Sequence, residues 1–211
     1  MTRGKMLLLL ALLAIVAAVP AAAQDDKDAT PRIVGEVKKA ELNKPVPDFV
    51  LPDFKGRPTQ LSKFKGKLIV LEWFSPSCPF VKTAHMKGGL KKLSRKITKK
   101  KDVIWLSINS EGPGTEGHGV KNTLKVARKY KMKNPILFDE TGVVGKAYGA
   151  KYAPEIFIID KDMKLIYRGC EDNHQAVEAG TDSDAVNHVA QVIEALKKGE
   201  KPPVQQTKPH G

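Results

Sequence analysis

Residues 68–81 read LIVLEWFSPSCPFV, and this stretch gives the clearest indication of the fold. The apolar run Leu68–Phe74 predicts a buried strand, and a longer stretch with helical spacing begins at Pro79. Cys78 therefore stands at a strand-to-helix junction, where the free N–H groups and the dipole of the helix stabilise a thiolate. Because the thiolate is the nucleophilic form of cysteine, Cys78 is a candidate nucleophile. Val81 occupies the position at which a Cys-x-x-Cys motif would carry its second cysteine.

The rest of the chain alternates between strand and helix patterns. Strands are predicted within residues 46–54, 59–62, 68–74, 103–109, 135–139, 152–160 and 165–169. Helices are predicted over 79–97, interrupted or kinked at Gly88-Gly89, and over 120–130, 143–148 and 183–198. Alternation gives parallel pairing, and the hairpin at 152–169 adds an antiparallel edge. The pattern predicts an α/β fold with a central mixed sheet flanked by helices.

The first 23 residues have the pattern of a secretory signal peptide. Arg3 and Lys5 precede the apolar residues 6–19, and three alanines at 21–23 form a small-residue cleavage site. The alternative is an uncleaved membrane anchor, but the apolar run is short for a membrane span. We expect a signal peptide (1–23), a flexible leader (24–44), one domain (45–200) and a Pro-rich tail (201–211). The mature chain is then periplasmic or secreted, without stable membrane insertion.

The chain is basic, with 36 Lys+Arg against 23 Asp+Glu, and lysines concentrate within residues 82–101. Such a run indicates either an anionic partner, such as nucleic acid or a membrane surface, or a solvated helix face. The solvated face is favoured, because aromatic residues are few and no nucleic-acid-binding motif is present. The chain has two cysteines, which excludes a disulfide-rich scaffold and suits either thiol chemistry or one optional bridge.

Three segments together resemble the redoxin branch of the thioredoxin superfamily. They are VPDFVLPD at 46–53, LSKFKGK at 61–67 and WFSPSCP at 73–79. Ala153-Pro154 and the following EIFIID at 155–160 resemble the cis-proline and strand of that superfamily. The resemblance covers roughly residues 44–200 and is greatest to the peroxiredoxin-like (AhpC/TSA-type) group of exported bacterial proteins. It implies a thioredoxin-like fold with an N-terminal β extension and a cis peptide bond before Pro154.

The departures from the family pattern bear on the activity. Thioredoxin-type oxidoreductases use two cysteines, and Val81 replaces the second. Peroxiredoxins use a Pro-x-x-x-Thr/Ser-x-x-Cys motif and a distant arginine. Here Ser75 matches the hydroxyl position, but Leu71 replaces the proline and Pro154 falls where the arginine would stand. Lys151 and Arg168 are candidates for the missing positive charge.

The resemblance implies an exported thiol-dependent oxidoreductase that reacts with peroxides or disulfides. Reducing equivalents would come from an external thiol, so no bound cofactor is expected. Cys78, Ser75 and Cys170 are the candidate catalytic residues. The candidate substrate-binding residues are Pro79, Phe80, Ala153 and Pro154. The alternative is a non-enzymatic binding module that keeps the fold with a degenerate site.

Cys170 is the internal candidate for a resolving thiol. The strand after Pro154 runs away from the active-site end of the sheet, and the strand 165–169 returns to it. This topology brings Cys170 back toward Cys78, and a bridge requires Cα atoms within about 7 Å. The alternative is an isolated buried cysteine that packs as a small apolar residue.

Other polar residues near the junction are weaker candidates. Glu72 is interpreted as a solvated strand-end carboxylate rather than a proton acceptor. His85, seven residues after Cys78, is expected to pack or to meet solvent. A copper site would use both cysteines and a histidine such as His118 or His174, but the Cys-x-x-x-Cys pair of copper chaperones on this fold is missing. No metal site is expected.

Overall fold

The computed structural model describes residues 28–36, 38–87, 89–99, 101–173 and 186–209. The expected signal peptide at 1–23 lies outside these residues, as does His174. Within the described ranges, no helix has the length and apolar character needed to cross a lipid bilayer.

The described residues form eight strands and five helices, and from residue 48 onward these follow the predicted alternation. The strands are β1 (Arg32–Val34), β2 (Asp48–Pro52), β3 (Pro58–Gln60), β4 (Leu68–Trp73), β5 (Val103–Asn109), β6 (Ile136–Phe138), β7 (Glu155–Ile159) and β8 (Leu165–Gly169). The helices are α1 (Pro79–Met86), α2 (Leu90–Ile97), α3 (Val120–Lys129), α4 (Val143–Tyr148) and α5 (His188–Lys198), and a 3₁₀ turn spans Leu61–Phe64. The predicted helix over 79–97 is thus two helices, of which α1 ends at Met86 and α2 begins at Leu90.

The strands form two sheets. The central sheet has the order β6-β5-β4-β7-β8, and the N-terminal sheet has the order β1-β2-β3. Strands β4, β5 and β6 are parallel, whereas β7 pairs antiparallel with both β4 and β8. The central sheet is therefore mixed, with helices against it and an N-terminal antiparallel sheet added. This confirms the predicted thioredoxin-like fold with its β extension.

Strand β4 lies in the middle of the sheet because both of its faces are apolar. All six of its residues are buried. Ile69 and Leu71 belong to the core between the sheet, β2 and α4, whereas Leu68 and Val70 belong to the core under α2 and α5. A strand buried on both faces reads as a continuous apolar run rather than an alternating one, and Glu72 is the exception to that run.

The described residues of the predicted leader and tail contact the two sheets. The expected flexible leader contains β1, whose Ile33 pairs with Phe49 of β2 and packs against the core. The tail is also docked, because Arg168 N donates to Gln205 O and Thr207 N donates to Arg168 O. Both segments cover the edge of a sheet and satisfy backbone groups that would otherwise be unpaired.

The last helix begins later than predicted. It starts at His188, and Asn187 caps it by accepting a hydrogen bond from Ala190 N (2.7 Å). Asparagine at this position satisfies a free N–H of the first turn, which fixes the start of the helix. Val186, predicted on the apolar face, is instead exposed. Residues 183–185 lie outside the described part of the chain.

Candidate active site

Cys78 lies at the N-cap of α1, five residues after the C-terminal end of β4. Its N–H donates to Ser75 O (3.3 Å) and its carbonyl accepts the first helical bond from Lys82 N (3.1 Å). Pro79 follows at the first helical position, where no N–H is required. The thiol is free and partly exposed. The strand-to-helix junction therefore presents the sulfur at the end of the helix that favours negative charge.

The peptide bond between Ala153 and Pro154 is cis, as the resemblance implied. The carbonyl of Ala153 accepts a hydrogen bond from the Cys78 thiol at 2.8 Å. Pro154 itself is buried, and β7 begins at the next residue. The register of β7 against β4 places Glu155 opposite Trp73, so this segment lies beside the junction.

A cleft of about 590 Å³ opens beside Cys78. Trp73, Ser110 and Gly145 lie along it, and Lys146, Lys151 and Glu111 contribute its charged groups. Of the predicted site residues, the ones that line the cleft are Ser75, Cys78, Pro79 and Ala153. Phe80 and Pro154 are not among the described lining residues. The cleft is much larger than a peroxide molecule and has room for several residues of an extended peptide.

Ser75 contacts Cys78 through its backbone. Its hydroxyl is 3.1 Å from the hydroxyl of Ser77, and only 7% of Ser75 is exposed. The serine at the peroxiredoxin hydroxyl position thus pairs with a neighbouring serine, which leaves the Ala153 carbonyl as the hydrogen-bond acceptor for the Cys78 sulfur.

Glu155 and Arg168 brace the segment that carries the cis-proline. The Glu155 carboxylate, 2% exposed, accepts from Lys151 N (2.9 Å) and from Tyr152 N (3.4 Å). Arg168 Nη2 donates to Glu155 Oε1 (3.3 Å) and to Gly149 O (3.1 Å). Arg168 is therefore held outside the cleft, and of the two proposed charge donors only Lys151 lines it.

Cys170 lies in a separate buried environment under the tail. Its thiol donates to Asp172 O (2.9 Å), and Thr207 Oγ1 is 3.1 Å from its sulfur. Burial raises the pKa of the Cys170 thiol, while the Thr207 hydroxyl opposes that rise. Gly169 allows the tail to approach this closely, since a Cβ there would meet Thr207 Oγ1 at 2.1 Å. Cys170 is not among the described residues that line the cleft of Cys78, and both thiols are free.

Glu72 and His85 form a buried pair behind Cys78, which the sequence interpretation missed. Nε2 of His85 is 2.5 Å from Glu72 Oε1, and Oε2 accepts from Trp105 Nε1 and Ser107 Oγ, both at 2.8 Å. Burial favours the neutral acid, but the charge of His85 and these hydrogen bonds outweigh it and lower the pKa of Glu72. The His85 ring stacks on Tyr130, which packs in the same cluster as Cys78.

The signal for this pair was present in the sequence. Glu72 is the one charged residue in the apolar run that forms β4, and it is fully buried rather than solvated. His85 is 1% exposed. A carboxylate inside a buried strand requires a partner, and a histidine on the next helix is the residue type that supplies one.

Glu171 is a second buried carboxylate on this side of the sheet. Its Oε1 accepts from Asn187 Nδ2 at 3.0 Å. Burial, followed by the neighbouring charge of Asp172, raises the pKa of Glu171 to about 8. The folded protein therefore holds this carboxyl protonated at neutral pH.

This raised pKa predicts a pH-dependent stability. The unfolded chain loses the Glu171 proton near pH 4, whereas the folded protein keeps it until about pH 8, so stability falls between these values. We expect Glu171→Gln to unfold with a free energy roughly 4 kcal/mol higher than the wild type near pH 8, and with almost no difference near pH 4. Urea unfolding at both pH values measures this. Glu194→Gln, an exposed change on α5, is the control, and a pH-independent difference at Glu171 would contradict the prediction.

Among the described residues, no group of three or more histidine, cysteine or acidic side chains is arranged to hold a metal ion. His118 Nε2 instead lies 3.6 Å from Glu140 Oε1, with the histidine partly exposed.

The family model for redoxin matches residues 41–189, which is most of the chain. The chain belongs to the redoxin family. Within this redoxin, the matched region begins just before β2, ends within α5 and includes both Cys78 and the cis-proline segment.

Curated relatives of this redoxin carry two kinds of name. The thiol-disulfide oxidoreductase ResA of Bacillus thuringiensis subsp. konkukian (strain 97-27) is 29% identical over 136 residues, which cover 61% of this chain and 69% of the relative. The chloroplastic peroxiredoxin Q of Sedum lineare is 28% identical over 134 residues, covering 57% and 65%. The expected activity class, a thiol-dependent oxidoreductase, agrees with the family and with these names.

A solved structure has the same fold. It is an uncharacterized conserved protein from Geobacillus kaustophilus, 29% identical, which superposes with a TM-score of 0.68 and covers 79% of this redoxin and 87% of that chain. The likeness extends over most of both chains.

Proposed function

We propose that this redoxin is an exported thiol-dependent oxidoreductase in which Cys78 attacks a disulfide and an external thiol completes the reaction. The observation that carries the proposal is the placement of Cys78. It is a free, partly exposed thiol at the N-cap of α1, in the wall of a cleft of about 590 Å³, against the carbonyl that precedes cis-Pro154. Family membership and the names of the ResA relatives support the same chemistry.

The reaction balances with one external thiol. The Cys78 thiolate attacks a sulfur of the substrate R–S–S–R′, a bond from Cys78 to R–S forms, and R′–S⁻ leaves and takes up a proton. A thiolate R″–S⁻ then attacks the R sulfur of the mixed disulfide, releases the Cys78 thiolate and departs as R–S–S–R″. The protein ends unchanged, and the substrate has exchanged one thiol for another. A second R″–SH can repeat the attack and complete the reduction of R.

The Ala153 carbonyl has a defined part in this scheme. In the resting state it accepts a hydrogen bond from the Cys78 thiol, with 2.8 Å between sulfur and oxygen. When Cys78 is deprotonated, this acceptor becomes available to a backbone N–H of a substrate that lies in the cleft. An extended peptide can then be held by its main chain while its disulfide faces the sulfur.

Peroxide is the second candidate substrate. In that reaction Cys78 would take the terminal oxygen of R–O–O–H to become a sulfenic acid while R–OH leaves, and two external thiols would return it to the thiol with release of water. Lys151 in the cleft favours this possibility, as does the similarity to peroxiredoxin Q. The Ser75 hydroxyl pairs with Ser77 and Arg168 pairs with Glu155, so neither is arranged around a peroxide. The geometry supports the disulfide better.

The two substrates and the binding-module alternative separate in one experiment. The reduced protein is mixed with oxidised glutathione or with hydrogen peroxide, and dimedone is present to trap any sulfenic acid at Cys78. We expect rapid thiol loss with the disulfide and slow dimedone labelling with peroxide. A Cys78 that reacts with neither reagent would favour a non-enzymatic binding module.

Export and the resolving thiol belong to the same proposal. The N-terminal pattern at residues 1–23 supports a cleaved signal peptide, and sequencing the N-terminus of the exported protein tests it. For the resolving step an external thiol is the better candidate, because Cys170 is 4% exposed and is held by Thr207 and Asp172. The resolving role of Cys170 stays a prediction.

The Glu155 brace gives a testable effect on rate. Glu155→Gln removes the ionic partner of Arg168 and one of the oxygens that hold the segment before Pro154. We expect kcat/KM for a disulfide to fall roughly tenfold, since displacement of a positioned group costs rate out of proportion to its size. Far-UV circular dichroism should be unchanged, and Glu194→Gln serves as the exposed control. Unaltered kinetics in the Glu155 variant would show that the brace does not position the site.

A further inference from the structure

The three parallel strands of the central sheet are each preceded by a lysine. Lys67 comes directly before β4, Lys101 stands two residues before β5, and Lys133 stands three residues before β6. Because these strands are parallel neighbours, their N-terminal ends lie along one edge of the sheet. Cys78 follows the C-terminal end of β4, so the lysines lie at the edge opposite the candidate active site.

At this edge the three lysines and Arg95 of α2 line one groove of about 320 Å³. Its apolar wall includes Phe64, and its described lining contains no carboxylate. Arg95 is fixed in place, because its Nη2 donates to Lys131 O at 2.6 Å. Side chains that are far apart in the sequence thus meet in one basic surface, which the lysine run at 82–101 alone does not indicate.

A second groove of about 390 Å³ adjoins the first and shares Lys133 with it. Arg57 and Arg128 contribute two further cations. Its one described carboxylate, Asp53, is paired with Arg57 at 2.6 Å. Phe54 lies in the turn between Asp53 and Arg57, and 46% of its surface is exposed. An exposed aromatic ring among cations is typical of a protein surface that meets the interface of a lipid bilayer.

We propose that this basic face docks on an anionic phospholipid surface. The face comprises Arg57, which is paired with Asp53, and five further exposed cations, Lys67, Arg95, Lys101, Arg128 and Lys133. Juxtaposed cations are attracted by anionic headgroups, and the Phe54 ring can enter the headgroup region. The arrangement suits a lipid surface better than single-stranded nucleic acid, which binds to platforms of several stacked aromatic rings. Docking in this orientation leaves Cys78 and its cleft facing away from the membrane.

The proposal goes beyond the proposed function and does not depend on the chemistry of Cys78. A protein that docks with this face need not react with disulfides, and an active Cys78 does not require docking. Failure of one proposal therefore leaves the other intact, since lipid contact and thiol reactivity are measured separately.

Lysine protection on vesicles tests the face directly. Protein recovered after export is acetylated with an amine-reactive reagent alone, with phosphatidylcholine vesicles, and with vesicles of equal parts phosphatidylcholine and phosphatidylglycerol. The neutral vesicles report any binding through residues 1–23. We expect acetylation of Lys67, Lys101 and Lys133 to fall severalfold on the anionic vesicles only, while Lys82 and Lys121, outside both grooves, stay reactive. High salt should abolish the protection.

Variants with matched charge complete the test. Replacing Lys67, Lys101 and Lys133 by glutamine should weaken sedimentation with the anionic vesicles roughly tenfold or more. Replacing Lys82, Lys87 and Lys121 by glutamine should leave this sedimentation nearly unchanged, because these lysines are exposed outside both grooves. Equal losses in the two triple variants, or protection spread evenly over all lysines, would overturn the proposal. If heparin protects the lysines of the basic face as well as the anionic vesicles do, the face binds soluble polyanions in general. That result would also overturn the proposal of a lipid surface.

Discussion

Replacing Cys78 by serine is expected to lower thiol-dependent turnover of a disulfide by roughly 10³-fold or more. A serine hydroxyl is nearly isosteric with the thiol and can still donate to the Ala153 carbonyl, so the local structure should persist. It cannot form a mixed disulfide, however, and covalent exchange at this position ends. Turnover with oxidised glutathione and dithiothreitol, measured beside thermal unfolding, separates lost chemistry from lost fold.

The Cys170→Ser variant then identifies the resolving thiol. If an external thiol resolves, the Cys170 variant turns over with the same dependence on thiol concentration as the wild type. If Cys170 resolves, its loss leaves Cys78 trapped as a mixed disulfide at low external thiol. A Cys78→Ser protein that retains wild-type turnover would refute the assignment of the nucleophile, whatever the result at Cys170.

The Glu72→Gln variant is expected to lose about 3–5 kcal/mol of unfolding free energy at neutral pH. Glu72 and His85 are both almost fully buried, and the carboxylate accepts from three side chains. An amide lacks the negative charge of the carboxylate and places a donor where an acceptor is needed, so the buried groups that contact Glu72 lose a matched partner. Urea unfolding of the variant beside the wild type measures the loss.

The pH dependence gives this prediction a sign. The folded-state pKa of Glu72 is lowered, so its contribution is present above the unfolded value of about 4.3 and is lost as the pH falls through the folded value. The gap between wild type and Glu72→Gln should therefore narrow in acid. The double variant Glu72→Gln, His85→Gln should lose less unfolding free energy than the sum of the losses in the two single variants. Strict additivity would mean that the two side chains are not coupled.

The fold was predictable from the sequence because its signals are local. The apolar run of β4, the glycine break between α1 and α2, and the hairpin of β7 and β8 each follow from a short pattern. Cys78 and cis-Pro154 were found through motif and resemblance. The order of β1 and of residues 205–207 was not predicted, because contacts with distant strands hold these segments and no local sequence pattern marks them.

The surroundings of the site depend on tertiary contacts that the sequence does not display. Glu72 was interpreted as solvated because a carboxylate is rarely buried, and only the packing of α1 on β4 brings His85 to it. Arg168 was a candidate for the cleft, but Glu155 on the neighbouring strand holds it elsewhere. The basic face likewise arises from strand order, since its lysines come from three separate loops.

If Cys78 is the nucleophile, a mixed disulfide trapped during the reaction must be attached to its sulfur. The reduced full chain is exposed to oxidised glutathione, acid-quenched and digested without reduction, and its peptides are identified by mass spectrometry. We expect one glutathione adduct, on Cys78, that dithiothreitol removes completely. An adduct on Cys170 alone, or a Cys78 thiol that stays unmodified while the disulfide is in excess, would contradict this assignment.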